Sequence, residues 1–193
     1  GKLWAATGNG LFTADSNVLE SRFPKNLYTL VGRNLFFTCV FEDSEHNVWF
    51  CSNDGLYKFD SESQNIVRYA KDTKDSKGLG DNFVTYIYED HNHDIWVATD
   101  RGLGLLNKKT GEFFHYKPVP NDTTSFGLNI ISTIFEDHQK KFWVGSFFSQ
   151  GIYQFDIKKG TFKDYLVGVS IRSIYEDTEG VVWVGADDGL YQY

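Results

Sequence analysis

The sequence contains no methionine, only three prolines and two cysteines in 193 residues, and no long apolar run. None of its stretches approaches the roughly 18 apolar residues that a membrane-spanning helix needs. It also lacks any cluster of positive charge. The 19 Lys and Arg are scattered against 26 Asp and Glu, for a net charge of −7 and a pI near 5.2. A nucleic-acid-binding surface needs a basic stripe, so nucleic acid is not an expected partner. No Ser/Gly tract marks a linker, and residues 1–193 read as one continuous array. The two cysteines, Cys39 and Cys51, are too few for a disulfide scaffold. They fall on neighbouring strands of one predicted hairpin, where a disulfide is geometrically conceivable, although two small packed thiols is the plainer reading. With no Met, and with Gly1 inside a repeat, the chain is expected to be an excerpt of a longer protein.

Aromatic side chains are abundant, with 17 Phe, 11 Tyr and 5 Trp. Strands favour them and their faces also stack on sugars, so composition alone does not separate packing from binding. Their placement is more informative. Trp4, Trp49, Trp96, Trp143 and Trp183 are spaced by 45, 47, 47 and 40 residues. Six residues before each of the last four stands the Asp of a Glu-Asp pair: Glu42-Asp43, Glu89-Asp90, Glu136-Asp137 and Glu176-Asp177. Six residues after Trp4, Trp49, Trp96 and Trp183 comes Gly-Leu; after Trp143 the interval is eight and the pair is Gly151-Ile152. Three markers in fixed register over five copies define a repeat, and a repeat decides the fold.

Each unit resolves into four short strands. The first precedes the acidic pair, as in Val84–Tyr88, and the second carries the Trp, as in Ile95–Thr99. The third starts at Gly-Leu, as in Gly55–Asp60, and the fourth is aromatic-rich, as in Glu112–Tyr116. Strands of this length with turn residues between them form hairpins, and no segment has a helical period. Four antiparallel strands per unit of 40 to 47 residues is the blade of a β-propeller. The expected fold is all-β, an arc of three full and two partial blades. The blades are expected at about 1–33 (partial), 34–80, 81–127, 128–167 and 168–193 (partial). The chain opens in a second strand and stops in a third, so further blades of the same propeller are expected partners.

The markers have structural reasons. The Trp offers an apolar plate to the adjacent blade. Two residues later the side chain is always small: Ala6, Cys51, Ala98, Gly145 and Gly185. The Asp can accept turn N–H groups as an Asx turn does, and the Gly before Leu permits a sharp return.

The segment Ile174–Gly185, followed by Asp188-Gly189-Leu190, resembles the two-component regulator propeller repeat, which pairs Glu-Asp, a turn Gly, a Trp and a final Gly-Leu. The resemblance covers nearly the whole chain. It departs from the pattern where His46, His93 and Lys140 replace the turn Gly kept at Gly180, and where the loop after Trp143 is longer. It implies the periplasmic input region of a hybrid two-component histidine kinase. In such receptors a β-sandwich segment, a membrane helix and cytoplasmic kinase and regulator modules follow. The implied signal is an oligosaccharide, the output transcription, the receptor a homodimer anchored in the inner membrane. The membrane would be reached only through parts of the parent outside these residues.

Loops between second and third strands should share a face with the connections between blades. They supply Asn53, Asp54, Asp100, Arg101, Phe147, Phe148, Gln150 and Asp187, and the connections supply Arg33 and Asn82. These amide, carboxylate and guanidinium groups suit sugar hydroxyls, although Asn and Asp are also ordinary turn residues. Phe147 and Phe148 stand out, because turn chemistry asks for no aromatics there. His46, His91, His93 and His138 occupy turns on the opposite face that diverge radially, so they read as solvated and no metal or cofactor is expected. The Glu-Asp pairs recur at an equivalent turn in every blade, unlike two carboxylates facing one glycosidic bond. No nucleophile constellation stands out, and the segment is read as non-enzymatic. The alternatives are a protein-binding scaffold, or part of a lyase or hydrolase.

Overall fold

A computed structural model describes residues 3–7, 10–15, 18–20, 35–60, 62–63, 65–116, 130–148 and 151–193. Among these the secondary structure is all strand, in five antiparallel sheets. The first sheet is β1 (Leu3–Thr7), β2 (Gly10–Asp15) and β3 (Val18–Glu20). The second is β4 (Phe37–Glu42), β5 (Val48–Ser52), β6 (Gly55–Phe59) and β7 (Ile66–Tyr69). The third is β8 (Val84–Glu89), β9 (Ile95–Thr99), β10 (Gly102–Leu106) and β11 (Phe113–Tyr116). The fourth is β12 (Ile131–Glu136), β13 (Phe142–Ser146), β14 (Ile152–Asp156) and β15 (Thr161–Tyr165). The fifth is β16 (Ile171–Glu176), β17 (Val182–Ala186) and β18 (Gly189–Gln192). Every strand pairs with its neighbour in sequence, and the first strands of successive sheets lie side by side. These are the three full and two partial blades of a propeller.

The Trp strand is the buried centre of each full blade: β5, β9 and β13 are buried along their whole length. The Trp faces the following blade. Trp96 packs its ring against Phe142 at 4.9 Å and Phe155 at 5.7 Å, and Trp49 joins Val84, Ile87, Ile95 and Val97. Interdigitation of this kind buries both partners, and Trp49, Trp96 and Trp143 are at most 1% exposed. On the corresponding face of the fifth blade Leu190 is 67% exposed, where Leu56 and Leu103 are 0% and 1%.

The Glu-Asp pair divides its work. One Asp oxygen accepts two turn N–H groups, from Asn92 and Asp94 onto Asp90 for example. The other accepts the indole N–H of the Trp six residues on: Trp49 to Asp43 at 2.7 Å, Trp96 to Asp90 at 2.9 Å, Trp143 to Asp137 at 3.0 Å and Trp183 to Asp177 at 2.7 Å. The Asp thus closes its own hairpin and fixes the Trp ring, satisfying donors that would be costly to bury unpaired. The Glu reaches the preceding blade instead. Glu89 accepts the backbone N–H of Ser44 at 2.7 Å, Glu136 that of His91 at 2.9 Å, and Glu176 that of His138 at 2.8 Å.

The same carboxylates also take the His91 and His138 imidazoles. These histidines are exposed turn residues, as expected from the sequence, and they also pin one blade to the next: each follows the turn Asp and so reaches the next blade's Glu. His46 turns to Glu42 of its own blade, and His93 meets Ser44 of the blade before. Among the described residues no group of three or more His, Cys, Asp or Glu is placed to hold a metal ion. The turn position held by Gly180 (φ 81°) is left-handed in the other blades too, at His46 (63°), His93 (63°) and Lys140 (66°). Those three residues keep the turn at the conformational cost that glycine avoids.

Candidate functional site

In each of the second to fifth blades the loop between second and third strands is tied to the incoming connection by one backbone hydrogen bond. Its donors are the N–H groups of Asn53, Asp100, Phe147 and Asp187; the acceptors are the carbonyls of Phe36, Phe83, Ile130 and Ser170, at 3.3, 3.1, 2.9 and 3.0 Å. Loops and connections therefore share one face, the one opposite the Glu and His pins. Phe147 holds the place that a polar residue fills in the other three blades.

Three groups of side chains occupy this face. In the second blade Asn53 accepts the Phe36 N–H at 3.1 Å. Asp54 is bound by the Arg68 guanidinium at 2.6 Å and the Tyr57 hydroxyl at 2.8 Å. Burial first, and then the hydrogen bond to Asp54 and its charge, raise the Tyr57 pKa, so the phenol stays a donor. Both loop residues are thus engaged in holding their own blade.

In the third blade Asn82 accepts the Lys71 N–H at 2.7 Å, and Asp81 pairs with the Lys71 ammonium at 3.1 Å. Burial pushes Asp81 upward, but the Phe83 N–H and the Lys71 and Arg101 charges outweigh it and its pKa is lowered. Asp100 goes the other way: burial and then the Asp81 charge raise it, against the pull of Arg101. Its Oδ1 is buried without a hydrogen-bond partner. The Arg101 side chain is 72% exposed and approaches Asp81 only at 3.9 Å. The exposed Arg101 guanidinium is the group of this set open to a polyhydroxylated ligand, to whose oxygens it can donate.

The third group lies between the fourth and fifth blades. The Arg172 guanidinium sits 5.0 Å over the Phe147 ring and forks onto Asp187, with its Nη2 at 3.0 Å. The hydrogen bond from Arg172, and after it the Arg172 charge, lower the Asp187 pKa against the effect of burial. Phe148 is 68% exposed and left-handed at φ 57°, so the loop turns its ring outward while Phe147 is half-buried under Arg172. Gln150 and Arg33 lie outside the described residues. The structure thus brings Phe147, Phe148 and Asp187 together, and Asn82, Asp100 and Arg101 together; Asn53 and Asp54 form a separate group.

Sequence reasoning missed Arg172, the residue that joins Phe147 to Asp187. A signal was present. Each first strand has a β-bulge at one position, spanned by Thr38, Thr85, Ser132 and Arg172. Three hydroxyl residues and one arginine at a repeated position mark the blade that differs.

The two-component regulator propeller family matches this chain at residues 78–101 and 165–188. No curated protein matches it. Among solved structures, the chain resembles the extracellular domain of the hybrid two component system BT3049 from B. thetaiotaomicron, with 26% identity and a TM-score of 0.84 over 100% of this chain and 27% of that one. It also resembles the corresponding domain of BT4673 from the same organism, with 19% identity and a TM-score of 0.66 over 100% and 30%. Virginiamycin B lyase from Staphylococcus aureus shares the fold, with 16% identity and a TM-score of 0.67 over 100% and 66%. The chain spans between a quarter and a third of the length of the two-component system domains it matches. Two of its segments, residues 78–101 and 165–188, match the two-component regulator propeller, and the chain shares the propeller fold of those extracellular domains.

Proposed function

We propose that this chain is part of an extracytoplasmic, ligand-sensing propeller of a hybrid two-component sensor. In this reading the receptor is anchored in the inner membrane, works as a homodimer and detects an oligosaccharide. The observation that carries the reading is the likeness to the BT3049 extracellular domain along the full length of this chain, joined to the family match in two of its blades. Supporting it, the loop face carries an outward aromatic ring at Phe148 and an exposed guanidinium at Arg101. Sugars are held by that combination of stacking and polar contacts. The segment itself performs no chemistry; it acts by population shift, with bound ligand favouring one arrangement of blades and dimer partners.

Calorimetric titration of the protein with a panel of oligosaccharides tests the proposal. The expected result is saturable binding without product, weakened about ten-fold or more by Phe148→Ala or Arg101→Ala, since each lost contact is worth about 1.4 kcal/mol or more per factor of ten. Turnover of any sugar in the panel would favour the second reading, a lyase, for which the shared fold of virginiamycin B lyase speaks. No binding across the panel would leave a protein-binding scaffold.

A further inference from the structure

Cys39 on β4 and Cys51 on β5 are register partners across an antiparallel pair. Directly opposed residues in such a pair have Cα atoms about 4.5–5.5 Å apart, inside the range of about 4.4–6.8 Å that a disulfide spans. How closely the side chains meet is shown by the same position in other blades. The pair is Thr133 with Gly145 in the fourth blade and Ser173 with Gly185 in the fifth. A Cβ placed on Gly145 would stand 2.7 Å from Thr133 Cγ2, and one on Gly185 would stand 2.6 Å from Ser173 Oγ. The first-strand side chain leans straight onto its partner's Cβ site. In the second blade both positions are cysteine, so two sulfurs share that volume.

We propose that Cys39 and Cys51 are a modification site, a thiol pair that closes to a cross-strand disulfide when the protein meets a small-molecule or protein disulfide. Both cysteines are free thiols in this structure. Cys51 is fully buried in the seam between the second and third blades, with Trp49, Leu56, Val84 and Ile87 around it, and the half-buried Cys39 packs against the same cluster. Cys39 is thus the sulfur an oxidant reaches first. The hydrogen bond from Cys51 lowers its pKa, burial opposes this, and a bond from the Ile87 backbone assists; burial raises Cys51. The Cys39 thiolate attacks one sulfur of the oxidant disulfide and expels the other as a thiolate, leaving a mixed disulfide. Cys51 then gives up its proton and attacks the Cys39 sulfur, which expels the second thiolate. The protein loses two hydrogens and two electrons, and the oxidant gains them as two thiols. The new bond ties the innermost strand to its neighbour at the bulge between Phe37 and Cys39, where the ladder is otherwise irregular.

Incubation of the folded protein in oxidised glutathione, acid quenching, alkylation after unfolding and intact-mass measurement test the proposal. The expected product is 2 Da lighter, takes up no alkyl group, and yields one Cys39–Cys51 cross-linked peptide that dithiothreitol separates. Cys51→Ala, which copies Ala98 at the same position, should instead stop with one glutathione on Cys39. Alkylation of both cysteines in the unmutated protein after full exposure to the oxidant would overturn the proposal, as would glutathione retained on either one. The assay uses neither a ligand nor a cellular location, so its failure is separate from failure of the sensing reading.

Discussion

In the second to fifth blades a single Asp carboxylate carries at least three hydrogen bonds, and at Asp177 its effect on acid stability has a definite sign. The Trp183 indole first, and then the Val181 and Glu179 N–H groups, lower the Asp177 pKa below the ordinary aspartate value. A folded-state pKa below the unfolded one makes the contribution complete above the unfolded value, about 3.9, and lost as pH falls through the folded one. Acid titration of the Trp183 indole N–H by NMR should therefore show a midpoint below about pH 4. Trp183→Phe should move the Asp177 carboxyl midpoint upward; a midpoint that does not move removes the indole as its cause. The Asp was legible in the sequence as a turn residue, because Asx geometry depends only on neighbours in the chain. Its bond to the Trp was not, because it needs the hairpin to bring residues six apart in sequence face to face. The departures from the turn glycine were visible as letters, yet only φ shows that His46, His93 and Lys140 hold the left-handed state glycine would hold.

Strand packing makes a sharper demand on the small residue two places after each Trp. A Cβ on Gly145 would stand 2.7 Å from both Thr133 Cγ2 and Ile171 Cγ2, the latter belonging to the next blade. On Gly185 the near neighbour is the Ser173 hydroxyl alone, at 2.6 Å, with the next atom at 3.9 Å. Overpacking costs about 1–3 kcal/mol where neighbours cannot yield. Gly145→Ala is therefore expected to lower stability by about that amount, and Gly185→Ala by less, since a hydroxyl can rotate aside. Equal midpoints for the two variants in urea denaturation would disprove this account of the seam. The strands, their order and the small position were all readable from the repeat, since the same three markers recur in register in every copy. The bulge in each first strand was not. It is a matter of pairing register rather than of residue type, and with it Arg172 escaped notice as a site residue.

At the scale of the molecule, the blades are held together by apolar seams and by the Glu pins. The Glu136 side chain is 4% exposed and receives both donors of His91. Removing it leaves a backbone N–H without its partner at the seam of the third and fourth blades. Glu136→Ala should cost about 1–3 kcal/mol and speed hydrogen exchange at the His91 amide, while the Ser44 amide, held by Glu89, exchanges as before. Unchanged exchange at His91 would show that the pin does not hold the seam. The site is a property of this scale as well. Its residues come from separate loops and connections, and the sequence could propose them but could not show that Asn53 and Asp54 serve their own blade while Phe147, Arg172 and Asp187 meet across two.

The division of labour within Glu-Asp sets a direction along the chain. Each Asp closes the turn of its own hairpin, and Glu89, Glu136 and Glu176 each grip the turn of the hairpin made before them. During synthesis the earlier turn is always complete when the next Glu emerges from the ribosome, so every blade arrives carrying its own fastening to the one behind. Assembly can then proceed vectorially, one blade at a time, and duplication of a whole repeat copies clasp and fastening together.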